Sequence, residues 1–266
     1  MKIWWPNIFQ IHFTFNFKIM RILKAVLTLV ILVCQWSIAQ NVEGKSLLIY
    51  TKNGKGYVHE NIEASVTTLV QLCKELGVKT IVSDRSEIFL SPEMETFDAV
   101  FFSNTNNEAF DTEEQRNAFK AFCESGKGFG GLHSATGSER EWPWFWNLIG
   151  ASFLRHPPFQ DFTVEVVNAE HPATQNLGTS FTISDECYFF KHLNPNVNVL
   201  LKANLASVAE GKNNSQPRPT EAPLSWYTTQ FGGRQWYSAL GHSKEGYENP
   251  LLQEHLKGGL RYILSQ

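Results

Sequence analysis

The sequence lacks an excess of charge of either sign. Its 266 residues include 23 lysines and arginines against 26 aspartates and glutamates, which gives a formal net charge of −3. It contains no basic run and no stretch in which basic and aromatic residues are interleaved. Proteins that bind nucleic acids present such positive surfaces, so the composition argues against a DNA- or RNA-binding function.

Short motifs for common metal and nucleotide sites are also missing. The sequence has no HxH, HExxH or CxxC spacing, no Walker loop and no GxGxxG fingerprint at the start of a helix. A zinc site would therefore have to collect ligands that are distant from one another in the sequence. The sequence therefore gives no indication of a nucleotide cofactor.

Cysteine is scarce in the sequence. After residue 40 the chain contains Cys73, Cys123 and Cys187, an odd and widely spaced set that is not a disulfide framework. Cys73 and Cys123 fall among apolar residues with helical spacing, so we predict that they are core residues. A single bridge stays open as an alternative. Cys187 has no base near it in the sequence and is a weak candidate nucleophile.

The first 39 residues carry the pattern of a targeting segment. Basic residues precede an apolar run from Ala25 to Val33, and small residues follow where a signal peptidase would cleave, after Ala39. We predict that translation starts at Met20 and that residues 1–39 comprise an N-terminal extension and a signal peptide. The protein is then exported, to the periplasm, without membrane contact after cleavage. An uncleaved anchor is the alternative, although this apolar run is short for a membrane span.

Residues 40–266 show the pattern of a single α/β domain. Apolar runs without alternation, which are typical of strands covered on both faces, occur at 45–51 and 97–104. Two further strands are predicted at 79–84 and 126–134. Helical spacing separates them, and the second helix is predicted to begin with Asp111 as N-cap in a capping-box pattern with Glu114. Strands that alternate with helices through short links predict a parallel sheet covered by helices.

The second half is less regular and predicts additional antiparallel strands. Residues 162–168 alternate between apolar and polar side chains, as an antiparallel or edge strand would. Further strand candidates are 198–203, 223–229 and 234–242, and a C-terminal helix is predicted over 251–264. No internal repeat or long linker divides this part of the sequence.

Polar side chains follow several predicted strands at their carboxyl ends, where ligands bind in an open parallel sheet. The residues at these ends are His59, Asn104, His133, Ser134 and His242. Because carboxyl ends of parallel strands meet at one edge, imidazole, hydroxyl and amide groups should converge there. We predict a polar pocket that binds substrate at this edge.

His133 is the sharpest of these candidates. Gly130 and Gly131 permit close approach of the backbone before it, and Ala135 keeps the following turn small. A residue at such an elbow is presented to the cleft, as the nucleophile is in Gly-x-Ser-x-Gly enzymes. We therefore predict that His133 is catalytic, with a hydrogen-bonded turn histidine as the alternative. Ser134 lies one position beyond the elbow, which favours substrate binding over nucleophilic attack.

Two carboxylates, Asp185 and Glu186, stand side by side between apolar stretches. Glu186 is the second predicted catalytic group, because a carboxyl group near aromatic residues can act as an acid or a base. Asp185 is interpreted either as a helix N-terminal cap or as a substrate ligand. Arg155 and His156, on a loop stiffened by two prolines, are also predicted to bind substrate.

A divalent metal ion is compatible with the same residues. Dispersed ligands from separate strand ends would be His59, His133, Glu186 and His242. The sequence leaves the cofactor open between such an ion and a metal-free pocket.

Three further residues are interpreted mainly as structural. Trp142 and Trp144 favour core packing over stacking on a sugar ring, and His171, before Pro172, favours a turn.

Five segments together resemble the ThuA-like family of trehalose-utilisation proteins. They are "GLHSAT" (131–136), "WNLIGASFLRHPP" (146–158), "EHPATQNL" (170–177), "SDECYFF" (184–190) and "GRQWYSALGHSKEGYENP" (233–250). The resemblance covers nearly all of the mature chain in family order. It implies a flavodoxin-like, doubly wound and mostly parallel sheet similar to that of class I glutamine amidotransferases. His133 stands where an amidotransferase has its thiol, so glutamine hydrolysis through a thioester is not expected.

The resemblance also implies a function in sugar metabolism. Members of the family are associated with the breakdown of trehalose and related disaccharides, often beside oxidoreductases that make 3-keto sugars. We therefore expect an enzyme that acts on a disaccharide or a 3-keto-glycoside through His133 and Glu186. The alternatives are a non-catalytic carbohydrate-binding component and a metal-dependent hydrolase. The expected partner is a small sugar, and a homo-oligomer is compatible with the sequence.

Overall fold

Four strands from the first half of the chain and one from near its end form the parallel part of one large sheet. The computed structural model describes residue 1 and residues 41–211 and 217–265, and the segment predicted to be a signal peptide lies outside them. Five parallel strands lie side by side in the order β2, β1, β3, β4, β11: β1 Ser46–Tyr50, β2 Lys79–Ser83, β3 Ala99–Ser103, β4 Gly128–Leu132 and β11 Gly233–Ser238.

Four antiparallel strands extend this sheet beyond β11. In spatial order they are β10 Pro223–Gln230, β9 Asn198–Ala203, β6 Gln160–Val166 and β7 Ser180–Asp185. Two short strands, β5 Ser152–Arg155 and β8 Phe189–Lys191, pair separately as an antiparallel ribbon. The predicted fold class, a mostly parallel α/β sheet with extra antiparallel strands in the second half, is confirmed.

Helices cover both faces of the parallel strands. The described α-helices are α1 Ile62–Glu75, α2 Glu113–Glu124, α3 Pro143–Ile149 and α4 Pro250–Leu264. A β-carbon at Gly130 would lie 3.1 Å from Ile263 in α4, and one at Gly131 would lie 2.8 Å from Ile149 in α3. Because neighbouring residues of a strand point to opposite faces, α3 and α4 lie on opposite sides of β4. The two glycines let both helices approach this strand closely.

The N-terminus of α2 differs from the prediction. Its N-cap is Thr112, and the capping box joins Thr112 to Gln115. The Asp111 carboxylate instead pairs with Lys52 at 2.8 Å and accepts a hydrogen bond from Ser86. The prediction with Asp111 and Glu114 was one residue out of register, because Asp and Thr are both good N-caps and Glu and Gln serve equally at the third position.

The strand order indicates at which edge of the sheet a ligand would bind. The order β2, β1, β3, β4 followed by one further parallel strand is that of flavodoxin-like sheets, which bind ligands beyond the carboxyl ends of the strands. In the register of β4 and β11, Leu132 pairs with Ser238. His133 and Ala239 therefore follow side by side at this edge.

Neither a membrane-spanning helix nor a disulfide occurs among the described residues. Each of their helices is too short or too polar to span a lipid bilayer. Cys73, Cys123 and Cys187 are buried and are not joined by disulfides, and Cys73 and Cys123 belong to the hydrophobic core as expected.

Candidate active site

A cleft opens at the carboxyl edge of the parallel strands. Its volume is about 400 Å³, and its lining combines imidazoles, a carboxylate, amide and hydroxyl groups, and aromatic rings: Tyr57, His59, Asn106, Ser134, Gly137, Arg140, Phe153, His156, Glu186, Tyr188 and His242. Five residues that we predicted to form the site line this cleft: His59, Ser134, His156, Glu186 and His242. The cleft is thus built from segments that are far apart in the sequence.

His133 lies directly beneath this lining and is fully buried. Its backbone adopts the left-handed conformation, with φ of 49°, which is uncommon for a residue other than glycine. The Nδ1 atom donates a hydrogen bond to the Ala239 carbonyl at 2.7 Å. A carbonyl oxygen can only accept, so the other ring nitrogen, Nε2, carries a lone pair. The Tyr188 hydroxyl lies 2.8 Å from Nε2 and donates to it.

Glu186 brings the imidazoles of the cleft together. Its Oε2 atom lies 3.0 Å from Nδ1 of His242 and 3.7 Å from Nε2 of His133. Its Oε1 atom lies 3.3 Å from Nδ1 of His156. One carboxylate thus contacts three imidazoles, and His242 also lies 3.3 Å from His133.

Asp185 holds the backbone of this cluster in place. The residue ends β7, and its buried carboxylate accepts the backbone N–H groups of Gly241 at 2.7 Å, His242 at 3.1 Å and Glu186 at 2.8 Å. The carboxylate oxygens of Asp185 are thus occupied by backbone N–H groups and not by substrate hydroxyl groups, and Asp185 does not cap a helix. Burial raises the pKa of Asp185 to about 6 despite the three hydrogen bonds. Asp185 therefore positions Glu186 and His242, which differs from the direct substrate contact expected from the sequence.

The charge states of the imidazoles differ within the cluster. Burial, with a contribution from the nearby His242, lowers the pKa of His59 to about 4. Burial likewise holds the pKa of His133 well below its usual value. The hydrogen bond to Glu186 raises the pKa of His242. At neutral pH the cluster therefore combines two neutral imidazoles with a third that is more readily protonated.

One ligand atom from each of four residues falls into a small volume. Atoms of His59, His133, Glu186 and His242 all lie within 4.8 Å of one another. The buried Nδ1 of His59 has no hydrogen-bond partner among the described residues. The dispersed ligand set considered for a metal ion is therefore brought together in space.

Two predicted substrate-binding residues lie outside the cleft lining. The Asn104 side chain is fully buried, where it accepts a hydrogen bond from Asn61 at 3.0 Å and donates one to Tyr247 at 3.2 Å. The Arg155 guanidinium pairs with Glu210 at 2.9 Å. Both side chains bond to neighbouring segments, and neither borders the cleft.

The tryptophans of the α3 segment also lie away from the cleft. The Trp142 and Trp144 rings stack on each other at 4.9 Å and pack against the core.

Sequence reasoning missed several residues of the cleft. Tyr188 belongs to the segment "SDECYFF", in which only the two carboxylates and the cysteine were considered. Tyr57 occurs in a loop without a motif, and Phe153 lies in β5, where only the neighbouring Arg155 and His156 were considered. Asn106 and Arg140 interact with each other at 3.2 Å only through the fold. A polar aromatic residue two positions after Glu186 was the one available signal, since a buried tyrosine hydroxyl usually binds a polar partner.

Comparison with known proteins agrees with this architecture. Among solved structures, a ThuA-like protein from Bacteroides uniformis is 24% identical, with a TM-score of 0.70 over 83% of this chain and 91% of its own. A ThuA-like protein from Parabacteroides merdae is 16% identical, with a TM-score of 0.63 over 82% of this chain and 90% of its own. A β-galactosidase from Bacillus circulans sp. alkalophilus is 12% identical, with a TM-score of 0.52 over 84% of this chain and 31% of its own.

At these identities the three structures show a shared fold. No curated protein sequence matches the chain. The sequence model of the family described as ThuA, trehalose utilisation, matches residues 46–263. Because this match extends from β1 to the end of α4, the chain belongs to the ThuA family of trehalose-utilisation proteins.

Proposed function

We propose that the protein processes a sugar in this cleft, and that its substrate is a disaccharide or a 3-keto-glycoside. Membership of a trehalose-utilisation family supports a role in sugar utilisation. The cleft volume of about 400 Å³ falls in the range of pockets that enclose small molecules. Two exposed aromatic rings flank it, Tyr57 beside His59 at 4.8 Å and Phe159 beside His242 at 5.7 Å. Their apolar faces suit the C–H surface of a sugar ring.

The contacts of Glu186 carry this proposal. His242 and His156 are partly exposed and lie 3.0 and 3.3 Å from its carboxylate, so both can exchange protons with a substrate. His133 is fully buried, and both of its ring nitrogens have partners. Proton exchange, which the sequence suggested for His133 and Glu186, is therefore better supported between Glu186 and His242. His133 then orients the cluster as a fixed neutral imidazole.

A 3-keto-glycoside suits a carboxylate–imidazole pair. The hydrogen on the carbon next to its carbonyl is acidic, so Glu186 can accept this proton while His242 donates one to the developing oxyanion. The raised pKa of His242 makes that proton available near neutral pH. β-Elimination and epimerisation both begin with this transfer.

Hydrogen exchange on a keto sugar tests the proposal directly. Purified protein is incubated with 3-keto-trehalose in D₂O, and loss of the proton next to the carbonyl is followed by NMR. We expect Glu186→Gln to slow the exchange by about 10²–10⁴-fold, the usual contribution of a general base. His192→Asn is the control, because His192 is exposed, stacks on Trp146 and has a φ of 54° that asparagine tolerates. Equal exchange by wild type and Glu186→Gln would contradict the proposal.

A non-catalytic carbohydrate-binding protein is the second candidate. The exposed Tyr57 and Phe159 rings favour it, because they require only a sugar surface and no chemistry. Calorimetric binding of trehalose without turnover of keto sugars, with and without added divalent metal, would identify this function.

We also propose that the protein is exported to the periplasm. The apolar segment before Ala39 supports this proposal, and it lies outside the described residues. Mass spectrometry of protein recovered from a periplasmic fraction should find a chain that starts at Gln40. An intact chain that starts at Met20 in the cytosolic fraction would contradict export. Light scattering on the same preparation would decide whether the protein is a homo-oligomer.

A further inference from the structure

The cluster in the cleft has the dimensions of a metal-ion coordination sphere. A tetrahedral ion with ligand bonds of about 2.0–2.1 Å holds its ligand atoms roughly 3.3 Å apart. The distances among His133 Nε2, His242 Nδ1 and Glu186 Oε2 are 3.0, 3.3 and 3.7 Å. Ordinary hydrogen bonding requires no such triangle of three mutually close ligand atoms. Its dimensions match one face of a coordination tetrahedron.

His133 is oriented as a metal-binding histidine would be. Its Nδ1–H donates to the Ala239 carbonyl at 2.7 Å, which fixes the ring and directs the Nε2 lone pair into the triangle. A hydrogen bond from the distal nitrogen to a carbonyl or carboxylate is the usual way in which proteins fix a ligating imidazole. The Asp185 carboxylate adds a second support, since it holds the backbone of Glu186 and His242 through their N–H groups.

His59 supplies an independent observation. The side chain is more than nine-tenths buried, and its Nδ1 has no hydrogen-bond partner among the described residues. Its ring lies 4.8 Å from that of His133 and 5.5 Å from that of His242. A buried polar atom without a partner is unfavourable unless a ligand satisfies it. His59 therefore occupies the position of a fourth ligand.

We propose that His59, His133, Glu186 and His242 bind one divalent transition-metal ion in the cleft. Three imidazoles and one carboxylate form a nitrogen-rich set, which favours zinc, iron, cobalt, nickel or manganese over magnesium and calcium. The proposal does not depend on the identity of the substrate. It also gives the metal-dependent alternative, left open by the sequence, a defined location.

The ion changes which neighbours can act on a substrate. The Tyr188 hydroxyl donates to the same Nε2 lone pair of His133 that the ion requires, so this hydrogen bond and the ion exclude each other. His242 and Oε2 of Glu186 become ligands and no longer move protons. The Oε1 atom of Glu186 still contacts His156 at 3.3 Å, and this partly exposed imidazole takes over proton transfer.

Metal titration of the purified full chain tests the site without any substrate. Protein is stripped with a chelator, titrated with Zn²⁺, Mn²⁺ and Co²⁺ by calorimetry, and analysed for metal content. We expect one ion per chain, with affinity reduced roughly 100-fold in His242→Asn and Glu186→Gln. Tyr188→Phe should bind the ion at least as tightly as wild type, because it removes a competitor for Nε2. His192→Asn should match wild type.

Other outcomes of this titration would overturn the proposal. These are less than stoichiometric binding of all three ions by wild type, equal affinities in wild type and His242→Asn, or an equal loss in His192→Asn. Circular dichroism of each stripped variant shows whether it is folded, and if His242→Asn is not, Glu186→Gln and Tyr188→Phe still decide. His156→Asn separates the two proposals: it should retain the ion, and in the metal-loaded protein it should lose the exchange that Glu186 and His242 support in the metal-free protein. Metal binding without any exchange in wild type would refute only the sugar chemistry.

Discussion

The buried histidines of the described residues form two groups with different surroundings: His59 and His133 at the cleft, and His171 and His255 between α4 and a neighbouring loop. In the cleft, His133 donates its Nδ1–H to the Ala239 carbonyl at 2.7 Å. In the packing between α4 and a neighbouring loop, His255 donates its Nδ1–H to the Ala173 carbonyl at the same distance of 2.7 Å. Both imidazoles are fully buried. Burial and a carbonyl partner therefore do not distinguish a functional histidine from a structural one.

His133 and His255 differ in the surroundings of Nε2, the ring nitrogen that does not donate to a backbone carbonyl. The Nε2 atom of His133 meets Tyr188, His242 and Glu186 beside an open cleft. The His255 ring lies 5.0 Å from the Trp236 ring, and its Nε2 has no hydrogen-bond partner among the described residues. Among the described residues, no carboxylate forms an ion pair with His255. A carboxylate and access to solvent are thus what make the first group a candidate site.

The largest expected contrast is in stability. His255→Ala should lower the free energy of unfolding by about 2–4 kcal/mol, because it leaves a cavity against Trp236 and an unpaired Ala173 carbonyl. His242→Asn, at a partly exposed position, should lower it by less, about 1 kcal/mol, the contribution of its hydrogen bond to Glu186. Urea denaturation of the stripped proteins measures both values. Equal losses in the two variants would remove the distinction between the groups.

The second contrast is in the pH dependence of stability. Burial lowers the pKa of His255 to about 4 in the folded protein, whereas an unfolded histidine titrates near 6.5. Between these values the unfolded state binds more protons, so stability falls as the pH decreases from about 6.5 towards 4. Between pH 7.5 and pH 5 wild type should lose about 2 kcal/mol more than His255→Gln. Urea unfolding at the two pH values tests this, and parallel losses in both proteins would contradict it.

The smallest contrast concerns the aromatic neighbours. Phe159 is exposed next to His242, whereas Trp236 is buried against His255. Phe159→Ala should therefore weaken sugar binding by about tenfold, the effect of one lost aromatic contact, and leave the unfolding midpoint unchanged. Calorimetric titration with trehalose and a thermal melt measure the two properties. Unchanged affinity would show that the ring is only a surface residue.

The parallel half of the fold could be predicted from the sequence because short strand-like segments alternate with segments of helical spacing. The segments at 45–51, 97–104 and 126–134 contain β1, β3 and β4. The order of the strands in the sheet was harder to predict from the sequence, because β11 is the last strand in the chain and yet lies next to β4. That neighbour relation depends on packing between distant segments, which a periodic pattern does not report.

The cleft could be predicted in part for the same reason. His59, His133 and His242 follow strands, so the rule for strand ends identified them. Asp185 was predicted to cap a helix or to bind substrate, but its bonds to the N–H groups of Gly241 and His242 depend on where that loop lies in space. The pairing of Arg155 with Glu210 could not be predicted either, since the two residues are 55 positions apart in the sequence. Contacts between remote loops were the information that the sequence did not provide.

The left-handed backbone at position 133 has a consequence for how this scaffold can change. The conformation is held by the surrounding structure: the Tyr237 hydroxyl donates to the His133 carbonyl at 2.7 Å, and helices press on the two preceding glycines from both sides. None of these contacts involves the imidazole. A different side chain, as in His133→Cys, would extend from the same backbone position. Substitution of this one residue would thus change the chemistry of the site at the cost of the hydrogen bond to Ala239, while these backbone contacts remain.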